Sequence, residues 1–167
     1  LGLFVQIVEG DVDDTVVQIF RKEKVSKIII DLLNFFKSKL GRESAQEKEM
    51  YSKVLSIIAG MAASDEELAS NFVRSNVHMT LLDQMNKKLQ DSAALMYEAT
   101  WISIGQVVSA ISGLCKDRGA MDQAIAKGFL NQLTVCLSQE ELPPKLISTA
   151  YRSLLLMLTF AVPDPLE

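Results

Sequence analysis

Asp65-Glu66-Glu67-Leu68-Ala69-Ser70-Asn71-Phe72-Val73-Arg74-Ser75-Asn76-Val77-His78-Met79-Thr80-Leu81-Leu82 is the stretch on which the fold turns. Ser64 stands just before it, and Ser64-Asp65-Glu66-Glu67, a serine followed three residues later by glutamate, is the signature of a capping box at a helix start. Val77, Leu81, Leu82, Met85 and Leu89 then recur at spacings of three and four and draw one apolar stripe along a second, longer helix. A short helix followed by a long one is therefore expected.

The same stretch lies over two others when the chain is shifted by 52 residues. Asp13-Asp14-Thr15-Val16 falls on Asp65-Glu66-Glu67-Leu68 and then on Asp117-Arg118-Gly119-Ala120. Val25 falls on Val77 and Phe129, Ile29 on Leu81 and Leu133, and Leu33 on Met85 and Leu137. A third piece precedes each short helix. Ile57-Ile58-Ala59-Gly60-Met61-Ala62 matches Ala110-Ile111-Ser112-Gly113-Leu114-Cys115 at a shift of 53, and Phe4 to Glu9 is similar to both. The expected unit is short helix, long helix, long helix, with residues 1–10 as the end of a preceding unit and copies over 13–63, 65–115 and 117–161.

The rest of the chain agrees with an all-α reading. Val25, Ile28, Ile29, Leu32, Leu33 and Phe36 form one helical stripe, and Phe129, Leu130, Leu133 and Leu137 form another. The β-branched runs at Val5 to Val8 and Lys27 to Ile30 continue such stripes and read as buried helix. No apolar–polar alternation runs long enough for a half-buried strand. Gly41-Arg42-Glu43-Ser44 and Asp91-Ser92 separate helices, and Pro143-Pro144 suits a helix entry. Pro163 and Pro165 stop the last helix.

Val54 to Met85 resembles the passage from one armadillo repeat to the next, in which a helix ends, the chain turns through an acidic cap, and an Ile/Val-x-x-Gly segment precedes Leu-x-x-Leu-Leu. Ile125-Ala126-Lys127-Gly128-Phe129-Leu130 with Leu133 and Leu137 resembles the same element, and Glu98 to Ser103 looks like the start of an armadillo third helix. Gly60 to Ala99 carries a fainter likeness to the serum amyloid A-like armadillo family. The resemblance covers nearly the whole chain and implies an armadillo/HEAT-like right-handed α-solenoid that binds other proteins. Armadillo units run to about 42 residues, so the units here are longer. At the position of the armadillo asparagine this chain has Gly60 and Gly113, and at the matching tryptophan it has Ser56 and Ser109. The ladder that holds nuclear-localisation peptides in importin-like relatives is thus absent.

Composition narrows the function classes. The chain has 167 residues, 49% of them hydrophobic and 23% charged, and a net charge of −4 that argues against generic phosphate-backbone binding. The segment from Arg21 to Lys53 holds nine Lys/Arg against five Asp/Glu, and Lys22, Lys24, Lys27, Lys37, Lys39 and Arg42 read as solvated helix faces. Cys115 and Cys136 lack metal-ligand spacing and read as reduced, buried thiols of an intracellular protein, cytoplasmic or nuclear. His78 has no second histidine with which to share a metal, so no metal or cofactor is expected. Acidic pairs such as Asp13-Asp14 and Glu66-Glu67 are accounted for by helix starts. No GxSxG, Walker, HExxH or GxGxxG motif occurs, so no enzyme is expected. Leu154 to Val162, the most apolar run, is too short to span a bilayer.

The expected function is a scaffold that docks a partner protein or peptide. Small residues recur every four positions in each third helix, at Ser52, Ser56 and Gly60 and at Gly105, Ser109 and Gly113. With Trp101, the residue type most enriched at binding hot spots, the candidate partner-binding set is Ser56, Gly60, Trp101, Gly105, Ser109 and Gly113. The apolar final helix, Leu146 to Ala161, carries an alternative: a structural segment of a large assembly, associating end to end. On this reading the chain is a fragment of a longer protein, or its ends are covered by partners.

Overall fold

The structure, a computed structural model, describes residues 25–39, 42–116 and 118–161. Helices follow one another as α1 (Val25–Lys39), α2 (Ala45–Ser64), α3 (Glu66–Arg74), α4 (Val77–Gln90), the short 3-10 turn η1 (Ala94–Met96), α5 (Glu98–Leu114), α6 (Arg118–Ala126), α7 (Phe129–Leu137) and α8 (Pro144–Ala161). The described residues are all-helical and contain no strand. The expected helices before Val25, the cations Lys22 and Lys24, and the stop at Pro163 and Pro165 lie outside the described residues.

Local sequence accounts for the boundaries. The expected stripe of α1 is buried at Val25, Ile29, Leu33 and Phe36, while Ile28 on its flank is exposed. α8 begins at Pro144, where the missing N–H of proline is harmless. α3 begins where expected, but its cap differs from the expected box at Ser64. Ser64 is still the last residue of α2, and its hydroxyl donates back to the Gly60 carbonyl at 2.9 Å. Asp65 takes the extended cap conformation and accepts from the Leu68 N–H at 2.8 Å. One residue thus ends α2 and starts α3, which leaves no room for a serine cap.

A complete capping box sits instead at α2. The Ser44 side chain accepts from the Glu47 N–H at 3.3 Å, and the Glu47 carboxylate accepts from the Ser44 N–H at 2.8 Å. Lys39 at the end of α1 pairs with the same carboxylate and lies over the Phe35 ring. The Lys39 hydrogen bond and then the Ser44 amide hold Glu47 down to about 2, from a usual 4.5. Because the folded value is depressed, this contribution is present above pH 4.5 and is lost as the pH falls toward 2. Ser44→Ala is expected to lower stability by about 1 kcal/mol. Thermal melts at neutral pH check this, and the acid limb of the wild-type profile should flatten in Glu47→Gln.

Six of these helices, all but α3 and α6, pack as two facing layers. α5 lies between α2 and α8, and the three run parallel. Gln106 on α5 donates to the Ser52 hydroxyl on α2 at 2.6 Å, and seven residues further along α5, Gly113 rests on Ala59 and Ala62 of α2. On the other side of α5, Gly105 rests on Leu146 of α8, and seven residues on, the Ser112 and Ser153 hydroxyls are hydrogen-bonded. Behind this row stand α1, α4 and α7, which meet in the same order, with α4 also packed along α5.

One core joins the layers. Phe36, Phe72 and Phe129 are fully buried with Ile57, Ile58, Leu81, Leu82 and Met85. Phe36 meets the Tyr51 ring edge-on, and the Tyr51 hydroxyl bonds to Gln84 across α2 and α4. His78 is buried, with Nε2 3.1 Å from Gln123 Oε1 on α6, so it joins α4 to α6. Cys115 and Cys136 are buried thiols, and burial pushes Cys136 up to about 11, far from a reactive thiolate.

Two junctions share an unusual backbone. Asn76 before α4 has φ 56°, and Gly128 before α7 has φ 99°, both left-handed. Glycine and asparagine are the residues that tolerate this conformation best. The two positions stand 52 residues apart, as do the starts of α3 and α6 and of α4 and α7. α5 is displaced by one more residue relative to α2, while α8 starts earlier because α7 is a shorter helix than α4.

Candidate docking groove

The exposed side of the parallel row carries a cavity of about 290 Å³ where α2, α5 and the first turn of α8 meet. Its floor is apolar: Leu55 and Ala59 come from α2, Ile102 from α5, and Pro143 and Leu146 from the entry to α8. Ser56, Gly105 and Ser109 line it as well, and the polar groups at its edge are Gln106 and Lys145. Small residues create the space, since larger side chains at Ser56 and Ser109 would fill it. Gly105 also faces α8: a Cβ there would stand 3.4 Å from the Leu146 Cβ, at ordinary contact distance, so little more than a methyl fits between the two helices.

The structure therefore brings together three of the six candidate residues, Ser56, Gly105 and Ser109. Gly113 lies one heptad down the α2–α5 crossing, where a Cβ would meet the Ala62 Cβ at 3.4 Å and the Ala59 carbonyl at 3.5 Å. Gly60 is half-buried on α2 and accepts from Ser64 through its carbonyl. Trp101 is 6% exposed, and its only polar group, the indole N–H, donates to the Leu95 carbonyl at 2.9 Å. It borders a separate cavity of about 560 Å³ with Glu98, Glu140 and Glu141. Ile102, Gln106, Lys145 and Leu146 were not among the candidates. Ile102 is half exposed on an otherwise well-buried helix, a property that periodicity alone does not reveal.

Other polar features are committed to the fold. Burial pushes the Tyr51 phenol up, with the Glu43 charge adding to it. Lys88, over the Tyr51 ring at 5.9 Å, is lowered mainly by burial. Lys116 donates to the Ala62 and Ala63 carbonyls at 3.3 Å each, closing the end of α2. Of the basic segment, Lys39 and Lys53 are paired with Glu47 and Glu49, whereas Lys27, Lys37 and Arg42 are exposed on different turns. Among the described residues no cluster of three metal-ligating side chains occurs, and no helix is long and apolar enough to cross a membrane.

No protein-family model matches this chain, and no curated protein or solved structure matches it either.

Proposed function

We propose that the chain is an armadillo-like α-solenoid segment that docks a partner protein or peptide in the groove over Ser56, Gly105 and Ser109. The observation that carries this reading is an open, largely apolar cavity formed where α2 and α5 expose small residues side by side against the first turn of α8. Binding sites for apolar side chains are concave and preformed, with few polar groups at the edge. Gln106 and Lys145 are such groups here. The solenoid reading is supported by the parallel α2–α5–α8 row, by the 52-residue recurrence of helix starts, and by the left-handed residue repeated at Asn76 and Gly128. No catalytic step belongs to this reading.

Capture from cell extract tests it. Wild type should retain a partner that Ser109→Gln and Ile102→Glu lose by about tenfold or more, the loss expected for filling or charging a buried apolar pocket. Asn131→Ser, on the exposed side of α7, should capture as wild type does. Equal capture by all four proteins would remove the groove as the site. A second reading, a segment stacking end to end in an assembly, is favoured by Tyr151, Leu155 and Leu158, which are exposed in a row on α8.

A further inference from the structure

The two crossings in the parallel row follow one rule. Each helix offers its successor two small residues seven positions apart: Ser52 and Ala59 from α2, and Gly105 and Ser112 from α5. The successor receives them with Gln106 and Gly113 on α5, and with Leu146 and Ser153 on α8. On α5 the offering residues directly precede the receiving ones, 105 before 106 and 112 before 113. The residues directly preceding Leu146 and Ser153 are Lys145 and Arg152.

The face that α8 turns outward is therefore headed by two cations where α2 and α5 present small residues. Both are exposed, and neither forms an ion pair among the described residues. A third crossing of the same kind would bury both charges without partners, which is strongly unfavourable. Beside this cationic row, and following it around the helix, run Tyr151, Leu155 and Leu158, each more than 60% exposed. Spacings of four and three place those three on one stripe. A helical surface with an apolar stripe and a flanking pair of cations fits a helix whose own apolar stripe is flanked by carboxylates.

We propose that this face of α8 binds an acidic amphipathic helix of a partner protein. Carboxylates seven residues apart meet Lys145 and Arg152, and apolar side chains cover Tyr151, Leu155 and Leu158. The proposal rests on reading the chain as a docking module and adds the chemistry of what it docks. Lys145 also stands at the edge of the groove, so the two surfaces are continuous.

Two synthetic helical peptides of about 18 residues, five turns, serve as probes. They share one leucine stripe and differ only in carrying glutamate or lysine on its flank. Fluorescence anisotropy should show the glutamate peptide binding the wild type about tenfold or more tightly than the lysine peptide, with the difference shrinking in high salt. Lys145→Glu with Arg152→Glu should reverse the preference, and unchanged circular dichroism and melting would show that these exposed changes leave the fold intact. Ser109→Gln should keep the preference. Equal binding of the two peptides, or a preference that survives the double reversal, overturns the proposal. Absence of peptide binding alongside groove-dependent capture sinks this proposal and leaves the docking reading standing, whereas loss of both removes both. Concentration-dependent self-association abolished by Leu155→Glu would mean that a second copy covers the face, and also overturns it.

Discussion

Trp101→Ala lowers the stability of the folded chain by about 3–5 kcal/mol, the range for deleting a large buried aromatic side chain. Trp101 is 6% exposed near the N-terminal end of α5, and its indole N–H reaches back to the Leu95 carbonyl in η1. The ring thus fastens the link between α4 and α5 onto the helix at the centre of the parallel row. Truncation removes the packed ring and also leaves that carbonyl without its donor. Trp101→Phe separates the two effects, because it restores most of the apolar bulk and not the N–H. Its loss should be about 1–2 kcal/mol, near the value of one hydrogen bond to a partly buried group. Urea unfolding checks both variants, with a lowered midpoint and an unchanged slope expected. A Trp101→Ala protein of full stability that fails to capture a partner would place the ring's role in docking.

Trp101 also illustrates what a sequence can reveal about this chain. Helix type and order were legible, because the apolar spacing in Val25 to Phe36, Val77 to Leu89 and Phe129 to Leu137 leaves one period open at each stretch. The sequence also recurs at 52 residues, and within the described residues the starts of α3 and α6, the starts of α4 and α7, and the left-handed Asn76 and Gly128 stand at that spacing. The choice of cap was less so. Ser64-Asp65-Glu66-Glu67 and Ser44-Ala45-Gln46-Glu47 both satisfy the same four-residue pattern, and only the chain's path decides between them. At Ser64 the preceding helix has not ended, so the serine is spent on its own i−4 carbonyl.

The candidate site was half legible. A row of small residues signals close helix approach or an open groove, and local sequence does not separate the two. Ser56, Gly105 and Ser109 line the cavity, while Gly113 is closed against α2. What decides is the neighbouring helix, 41 to 54 residues distant in the chain: Leu146 meets Gly105 and Ala62 meets Gly113 at the same 3.4 Å, and only the first position also borders the open space. Lys145 has the same origin. Its meaning comes from standing one residue before Leu146 in a register that only the paired crossings define.

Gly113→Leu is expected to destabilise by about 3 kcal/mol, at the upper end of the usual penalty for overfilling a packed interface. The atoms in the way at Gly113 are the Ala62 methyl and the Ala59 backbone, and backbone cannot rotate aside. Four added carbons must push α2 from α5, which strains the Gln106–Ser52 bond one heptad up and the Lys116 bonds to the end of α2. Gly113→Ala sets the limit of tolerance. Its methyl would stand at ordinary contact distance, and alanine is favoured over glycine inside a helix by about 1 kcal/mol, so the net change should fall within about 1 kcal/mol of zero. Thermal melts of the pair measure this difference directly, and equal midpoints would mean that the crossing is looser than 3.4 Å contacts imply. The pair also links packing to docking. Leu55 and Ala59 supply the α2 wall of the groove, so a displaced α2 should cost the leucine variant its partner while the alanine variant keeps it.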